Sequence, residues 1–224
     1  MTSPYRLSVQ QFIGHFRDQG DAISHVVSDL HRKLLYCSAL DPLARAVCPE
    51  KTKNRPRFVN LLLNHTDWAD AQRVSLFQLT CHLRLKGRTR FRLYREAKLR
   101  LDLSPPRRRA PLSTSPTFAE MTIYAAQEEL EVLRFHTYAE LFYTFRNSLV
   151  HEYREPGYGT DWSRKATEPF YTNLSSFGLR ELVFPTTFIA SIYEQALQHV
   201  SQHLLAQKVN PHSKFNFGSH WRAS

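Results

Sequence analysis

Tyr143-Thr-Phe-Arg146-Asn147-Ser-Leu-Val-His151-Glu-Tyr153 is the stretch on which the reading of this chain turns. At about 100° per residue, Tyr138, Leu141, Phe142, Phe145, Leu149 and Tyr153 gather on one broad arc of a helix. Glu140, Arg146, Asn147, His151 and Arg154 take the other, with Tyr143 and Val150 among them. The apolar arc needs a core to pack against. The polar arc carries a permanent cation, an amide and an imidazole within two turns.

Those three groups suit phosphodiester chemistry. An arginine stays charged and presents a donor fork that matches phosphate oxygens. A histidine gives or takes a proton near neutral pH. An asparagine can hold an imidazole tautomer or a ribose hydroxyl through its two-sided amide. Asn147 and His151 are four residues apart and share a face, whereas Arg146 and His151 diverge by roughly 140°. A second copy of the helix about a two-fold axis would bring both types into one groove. The competing reading is an ordinary solvated face with contacts between residues four apart.

Arg146-Asn147-Ser148-Leu149-Val150-His151-Glu152-Tyr153 resembles the Arg-x4-His-x-Tyr signature of HEPN domains, a large family of mostly prokaryotic, nucleic-acid-handling helical bundles. The asparagine directly after the arginine is the residue the family favours there. The resemblance implies a metal-independent endoribonuclease acting as a homodimer in prokaryotic defence or toxin-like RNA cleavage. His151 would be general acid or base for attack by the ribose 2′-hydroxyl. Arg146 would stabilise the phosphorane, and Asn147 would orient the imidazole or the scissile phosphate. The products would carry a cyclic phosphate and a free 5′-hydroxyl. Tyr153 matches the tyrosine that a cognate antitoxin can nucleotidylate in toxin–antitoxin members, although the wheel places it on the packing arc. Other members only bind RNA. A non-catalytic RNA-binding module or scaffold therefore stands as the alternative, with a DNA-associated defence accessory behind it.

Composition narrows the classes. With 224 residues, 42% of them hydrophobic, the chain can build a real core. Seven glycines disfavour a turn-rich all-β fold. No run of eighteen apolar residues exists, and Met1-Thr-Ser-Pro-Tyr-Arg lacks a signal-peptide apolar region. Cys37, Cys48 and Cys81 are odd in number and widely spaced, which fits buried thiols in a reducing cytoplasm. No metal site or cofactor is expected: there is no phosphate loop, no dinucleotide fingerprint and no acidic cluster suited to magnesium. His199 and His203 are four apart without a third ligand and read as exposed polar residues.

The net charge of +10 is concentrated. Residues 84–109 hold eleven basic side chains against two acidic ones. Arg88, Arg90 and Arg92 alternate with Thr89, Phe91 and Leu93 in a strand-like pattern, and the boundary with a helix over 95–103 stays open. Arg107, Arg108 and Arg109 follow in a proline-rich linker over 104–117. Such a block attracts a polyanion by counterion release. RNA is the expected partner, and no membrane is, since apolar residues are interspersed among the arginines rather than segregated.

The remaining spacing predicts helix after helix. Helices are expected over 8–19, closed by Gly20, then from Asp21 to about Ala39, broken or restarted at Asp41-Pro42 with one further turn over Leu43, Ala46 and Val47. Others are expected over 57–65, from an Asp67 N-cap to Leu83, and over 122–133 with Ile123 inward. Thr137 and Glu140 read as a capping box for the motif helix. Phe170–Asn173 and Leu179–Phe184 read as a β-hairpin, and a last helix runs from Pro185 to about Lys208, before a fraying tail over 212–224. The expected fold is an all-α helical bundle with a small inserted β-hairpin, one domain over 1–224.

Overall fold

The computed structural model describes residues 4–103, 109–157, 166–174 and 179–215. Its helices are α1 (Pro4–Ser24), α2 (Asp29–Val47), α3 (Asn54–Asn64), α4 (Leu76–Leu85), α5 (Arg92–Leu103), α6 (Phe118–Thr122), α7 (Leu130–Phe135), α8 (Tyr138–Glu152) and α9 (Thr186–Ala206). Strands β1 (Arg109–Pro111), β2 (Phe170–Leu174) and β3 (Leu179–Val183) form one antiparallel sheet in the order β1-β2-β3. The fold is thus mostly helical with a small β insertion. The chain divides into two compact units, Met1–Asp67 with Ile189–Ser224, and Trp68–Phe188.

In the first unit the expected break at Gly20 does not occur, and α1 runs on to Ser24. Gly20 has no positive φ. Its lack of a side chain serves close packing: a Cβ there would stand 2.7 Å from Cε1 of Tyr193. The Tyr193 hydroxyl donates to the carbonyl of Phe16, and its ring lies 5.3 Å from that of Tyr36. The turn instead comes after Ser24, whose hydroxyl donates to the Asp21 carbonyl at 2.7 Å. Ser28 then caps α2 by accepting from the amide of His31.

Pro42 likewise fails to stop α2. An interior proline costs a helix about 3 kcal/mol. Leu40 and Leu43 flank it with no exposed surface, and each fully buried leucine contributes about 1.5–3 kcal/mol. Burial wins. Beyond α9, Pro211–Lys214 form a 3-10 turn, and Phe215 lies 5.8 Å from Phe12, under the guanidinium of Arg45. Residues 216–224 of the expected tail lie outside the described residues.

The second unit corrects three expectations. Asp67 does not open a helix; Ser75 does, accepting from the amide of Gln78 at 3.1 Å. Residues 88–93 form a turn running into α5, not a strand. Gly87 takes φ +68°, and the Arg88 amide donates to the Leu83 carbonyl at 2.8 Å, closing α4. Beyond it Leu93 and Ala97, four apart, bury themselves against Leu79, Leu83 and Met121. Six alternating residues gave way to helical burial. The helix expected over 122–133 splits, because the Glu129 carboxylate accepts from the Ala126 amide at 3.0 Å and starts a fresh turn there. Ile123, expected inward, is 66% exposed.

The expected hairpin is present, with Phe170 opposite Val183 and Thr172 opposite Glu181. Its third strand comes from the expected linker: Arg109 pairs with Thr172 and Pro111 with Phe170. Residues 104–108, including Arg107 and Arg108, lie outside the described residues.

Candidate functional site

Helix α8 starts where expected, after Thr137, but by a different device. Thr137 makes no side-chain capping bond. The amides of Tyr138 and Ala139, which a helix leaves without internal partners, donate to the carbonyls of Arg73 and Ala71 at 3.0 and 2.9 Å. The Ser75 amide returns a bond to the His136 carbonyl at 2.9 Å. Glu140 is buried in the first turn. Down the apolar face, Phe142 packs edge-on to Phe184 at 5.0 Å and to Trp68 at 6.0 Å, and Phe145 meets Phe184 at 5.1 Å. This aromatic packing fixes the rotation of α8 and so decides what its opposite face presents.

On that face Nη1 of Arg146 donates to Oδ1 of Asn147 at 2.9 Å. Both side chains are half-buried. His151 stands exposed one turn on, and among the described residues no hydrogen bond or ion pair reaches its ring. The structure therefore brings Arg146 and Asn147 together and leaves His151 apart. Tyr153 is not on the packing arc. It is the C-cap, left-handed at φ 54° and ψ 34°, with its amide donating to the Ser148 carbonyl and its side chain 56% exposed. Helical geometry ends at Glu152, so the wheel does not extend to it. Beside it Arg154 and Glu152 pair at 2.6 Å on the surface.

Some of the basic residues rest on aromatic rings and others stand apart from them. Arg92 and Arg100 lie over one ring, Tyr124, at 4.9 and 5.4 Å. Arg100 is further held by Glu96 at 2.6 Å, which keeps its guanidinium even more firmly charged than usual. Arg109 lies 5.0 Å over Phe170, and half-buried Arg88 lies 5.7 Å over Phe91. Arg90 is exposed in the α4–α5 turn, and Arg84, Lys86 and Arg95 are exposed around it. A cation stacked on a ring keeps its outer donors for a polyanion.

A cavity of about 260 Å³ adjoins α8 and lies within the second unit. Phe77 and Gln78 of α4, Phe145 of α8, Arg180 and Glu181 of β3, and Gly157 line it. Gly157 takes φ +83°, and a Cβ there would lie 2.6 Å from Oε1 of Glu181. In sequence Pro156-Gly157 reads only as a stop signal, and nothing marks the rest of the lining. The glycine at the end of the motif helix was the one local signal available.

His199 and His203 meet separate partners. Nε2 of His199 lies 3.3 Å from Oδ2 of Asp67, while the His203 ring stands edge-on to His65 at 5.0 Å. Among the described residues no group of three or more His, Cys, Asp or Glu could hold a metal ion. No described helix is long and apolar enough to cross a membrane. No protein-family model, curated protein or solved structure matches this chain.

Proposed function

We propose that the protein is a metal-independent endoribonuclease of HEPN type, acting on RNA as a homodimer in prokaryotic defence or toxin-like cleavage. The observation that carries this reading is the polar face of α8: the Arg146–Asn147 pair with an exposed histidine one turn beyond. In the proposed reaction the ribose 2′-oxygen attacks phosphorus while an imidazole of His151 takes its proton. The bond from phosphorus to the 5′-oxygen breaks, and that oxygen collects a proton from the imidazolium of a second His151. Arg146 faces the negative charge that builds on the phosphorane. The divergence of Arg146 and His151 on one helix is the reason for invoking two copies. Free thiols at Cys37, Cys48 and Cys81 suit a reducing cytoplasmic setting.

The test is incubation of purified protein with mixed RNA in EDTA, beside His151→Ala. Loss of the acid–base group costs about 10²–10⁴ in rate, while an exposed position changes stability by only about 0.5 kcal/mol. A folded, RNA-binding, cleavage-dead variant is expected. A folded variant that cleaves at the parent rate excludes His151 as acid or base. Ultracentrifugation at micromolar concentration tests the two-fold arrangement, and a strictly monomeric, fully active protein would sink it.

One observation favours the alternative of a non-catalytic RNA-binding module. The Asn147 oxygen engages Arg146, and nothing among the described residues fixes the His151 tautomer. Salt-dependent RNA binding by a parent protein that cleaves nothing supports that alternative.

A further inference from the structure

The turn that joins α4 to α5 gathers cations around an open aromatic ring and carries no balancing acid. From Ala71 to Arg95 the sequence holds no Asp or Glu, and six basic residues fall between Arg84 and Arg95. The reversal is tight. The Gly87 amide donates to the Arg84 carbonyl at 3.0 Å, and the Arg95 amide to the Phe91 carbonyl at 3.2 Å. Leu79 and Leu83 of α4 share one buried cluster with Leu93 and Ala97 of α5. With its inward positions spent on that cluster, the turn leaves Arg84, Lys86, Arg90, Arg92 and Arg95 exposed. The ion pairs nearest in sequence, Lys98 with Asp102 and Arg100 with Glu96, lie further along α5, and among the described residues the five exposed cations make none. Two apolar side chains stand among them: Leu85 is 84% exposed and Phe91 38%. The guanidinium of half-buried Arg88 lies over the Phe91 ring at 5.7 Å. A lone exposed leucine is ordinary. A solvent-open ring with a guanidinium stacked on it, inside a patch of cations without counter-charges, is not explained by a solvated face.

We propose that this turn is a single-strand RNA-binding site, in which Phe91 and Arg88 stack an unpaired base and the exposed cations hold the phosphates on either side of it. The charge selects a polyanion. The ring selects among polyanions. A duplex keeps its base faces stacked inside and offers a surface turn only phosphate, sugar and groove edges. A single strand can lay a base on an aromatic side chain or on a guanidinium plane. An anionic bilayer instead takes a helix with a continuous apolar face, and here exposed Lys86 and Arg90 stand between Leu85 and Phe91. Every base has a face to stack, so the site is expected to grip a strand without reading its sequence. The motif on α8 contributes nothing to this site, which is carried by α4 and α5. The inference deepens the reading of the protein as RNA-handling and rests on it for its biological meaning, but strand binding is measurable without cleavage.

The experiment is fluorescence-anisotropy titration of the full chain with a labelled 2′-O-methyl oligouridylate, which attack by a 2′-hydroxyl cannot cut, and with a 2′-O-methyl RNA duplex of the same length. Each is measured over a range of salt, with phosphatidylserine vesicles as the competing anionic surface. Phe91→Ala is expected to weaken the single strand by about 5–150-fold, the range for losing one stacked base. It should leave the duplex unchanged, and leave the slope of log affinity against log salt unchanged, because no phosphate contact is lost. Phe91→Tyr keeps a ring and should bind as the parent does. Phe91→Leu keeps apolar bulk at the entry to α5 and should bind as Phe91→Ala does, which secures the test if the alanine variant unfolds. Thermal unfolding checks each variant, and loss of folding in both would make the ring structural and overturn the site. Binding indifferent to the folded variants, an equal loss on strand and duplex, a salt slope that falls with Phe91→Ala, no strand binding at micromolar concentration, or preference for the vesicles would each overturn it as well. RNA cleavage indifferent to Phe91 would overturn the site and leave the nuclease reading standing. Ring-dependent strand binding by a protein that cleaves nothing would do the reverse.

Discussion

Arg146 donates to Asn147 across 2.9 Å, so the two adjacent residues present themselves as one unit and not as separate groups. The amide oxygen of Asn147 accepts from the guanidinium, and among the described residues no hydrogen bond engages its N–H₂ end. Replacing Asn147 with Ala takes away one contact of the guanidinium and leaves the guanidinium itself in place. RNA cleavage is expected to fall by about 10–100-fold, while stability moves by no more than about 0.5 kcal/mol, as for other substitutions away from the core. Asn147→Asp should retain the hold on Arg146 but lose the donor, so comparing the two variants separates positioning from ligand binding. Equal rates for parent and both variants would show that the pair has no part in the reaction.

The arginines should separate by their surroundings. Arg90, Arg92 and Arg109 are all exposed, but the guanidiniums of Arg92 and Arg109 lie over Tyr124 and Phe170. Arg90→Ala should reduce the slope of log affinity for RNA against log salt by about 0.7–0.9 for each phosphate that is no longer neutralised, and leave thermal stability alone. Arg92→Ala and Arg109→Ala should add about 0.5–1 kcal/mol of destabilisation, because each takes a cation off its ring. Simultaneous replacement of Arg107, Arg108 and Arg109 is expected to flatten the salt dependence further. A slope unchanged in all these variants would remove the basic block from the interface.

Two glycines in α1 make a matched pair. Gly14 has nothing within 4 Å of where a Cβ would stand, whereas at Gly20 the ring of Tyr193 lies 2.7 Å away. Gly14→Ala should therefore stabilise the protein by about 0.5–1 kcal/mol, the ordinary cost of a glycine inside a helix. Gly20→Ala should destabilise it by about 1–3 kcal/mol through overpacking. Chemical denaturation of the two variants reads the opposite signs directly. Two shifts of the same sign would mean that Tyr193 yields freely.

His65 should make the fold acid-sensitive. Burial is the main cause that holds its imidazole below the ordinary value, and the nearby rings of His203 and His199 add to it. Because the folded state disfavours the proton, the unfolded chain binds more of it as pH falls below about 6.5. The contribution is fully present above that pH and is lost as pH falls toward the folded value. Melting temperature should drop between pH 7 and pH 5, and His65→Gln should reduce that drop. Asp67→Asn, which removes the carboxylate 3.3 Å from His199, serves as the control that keeps the neighbouring imidazole out of the comparison.

Sequence made the helical class, α9 and the β2–β3 hairpin legible because each rests on local signals: an apolar stripe of 3.6 period, a following Asn210-Pro211, and two short runs around a turn. The failures share a cause. Gly20 and Pro42 are helix breakers by propensity, but Tyr193 and the burial of Leu40 and Leu43 overrule them. Thr137 was placed correctly while its mechanism was not, since the partners of α8 are the carbonyls of Ala71 and Arg73. Of the site, the motif residues were legible as a string. The hydrogen bond from Arg146 to Asn147 was not, because side-chain direction along a helix is not in the spacing. The cavity was invisible for a stronger reason: its walls come from separate segments between Phe77 and Phe184 that no window of sequence joins.

The stitching of Tyr138 and Ala139 to the carbonyls of Arg73 and Ala71, far earlier in the chain, has a kinetic meaning. First-turn amides of a helix ordinarily fray and exchange with solvent in small local openings. Here they are bonded to a segment that also carries the bridges of Arg73 to Thr117 and Val74 to Thr137. Closing so long a loop carries an entropic cost that must be met before the pairing rewards it. The first turn of α8 is therefore tied to the integrity of a segment more than sixty residues earlier, and hydrogen exchange at Tyr138 and Ala139 is expected to be slower than at an ordinary helix start.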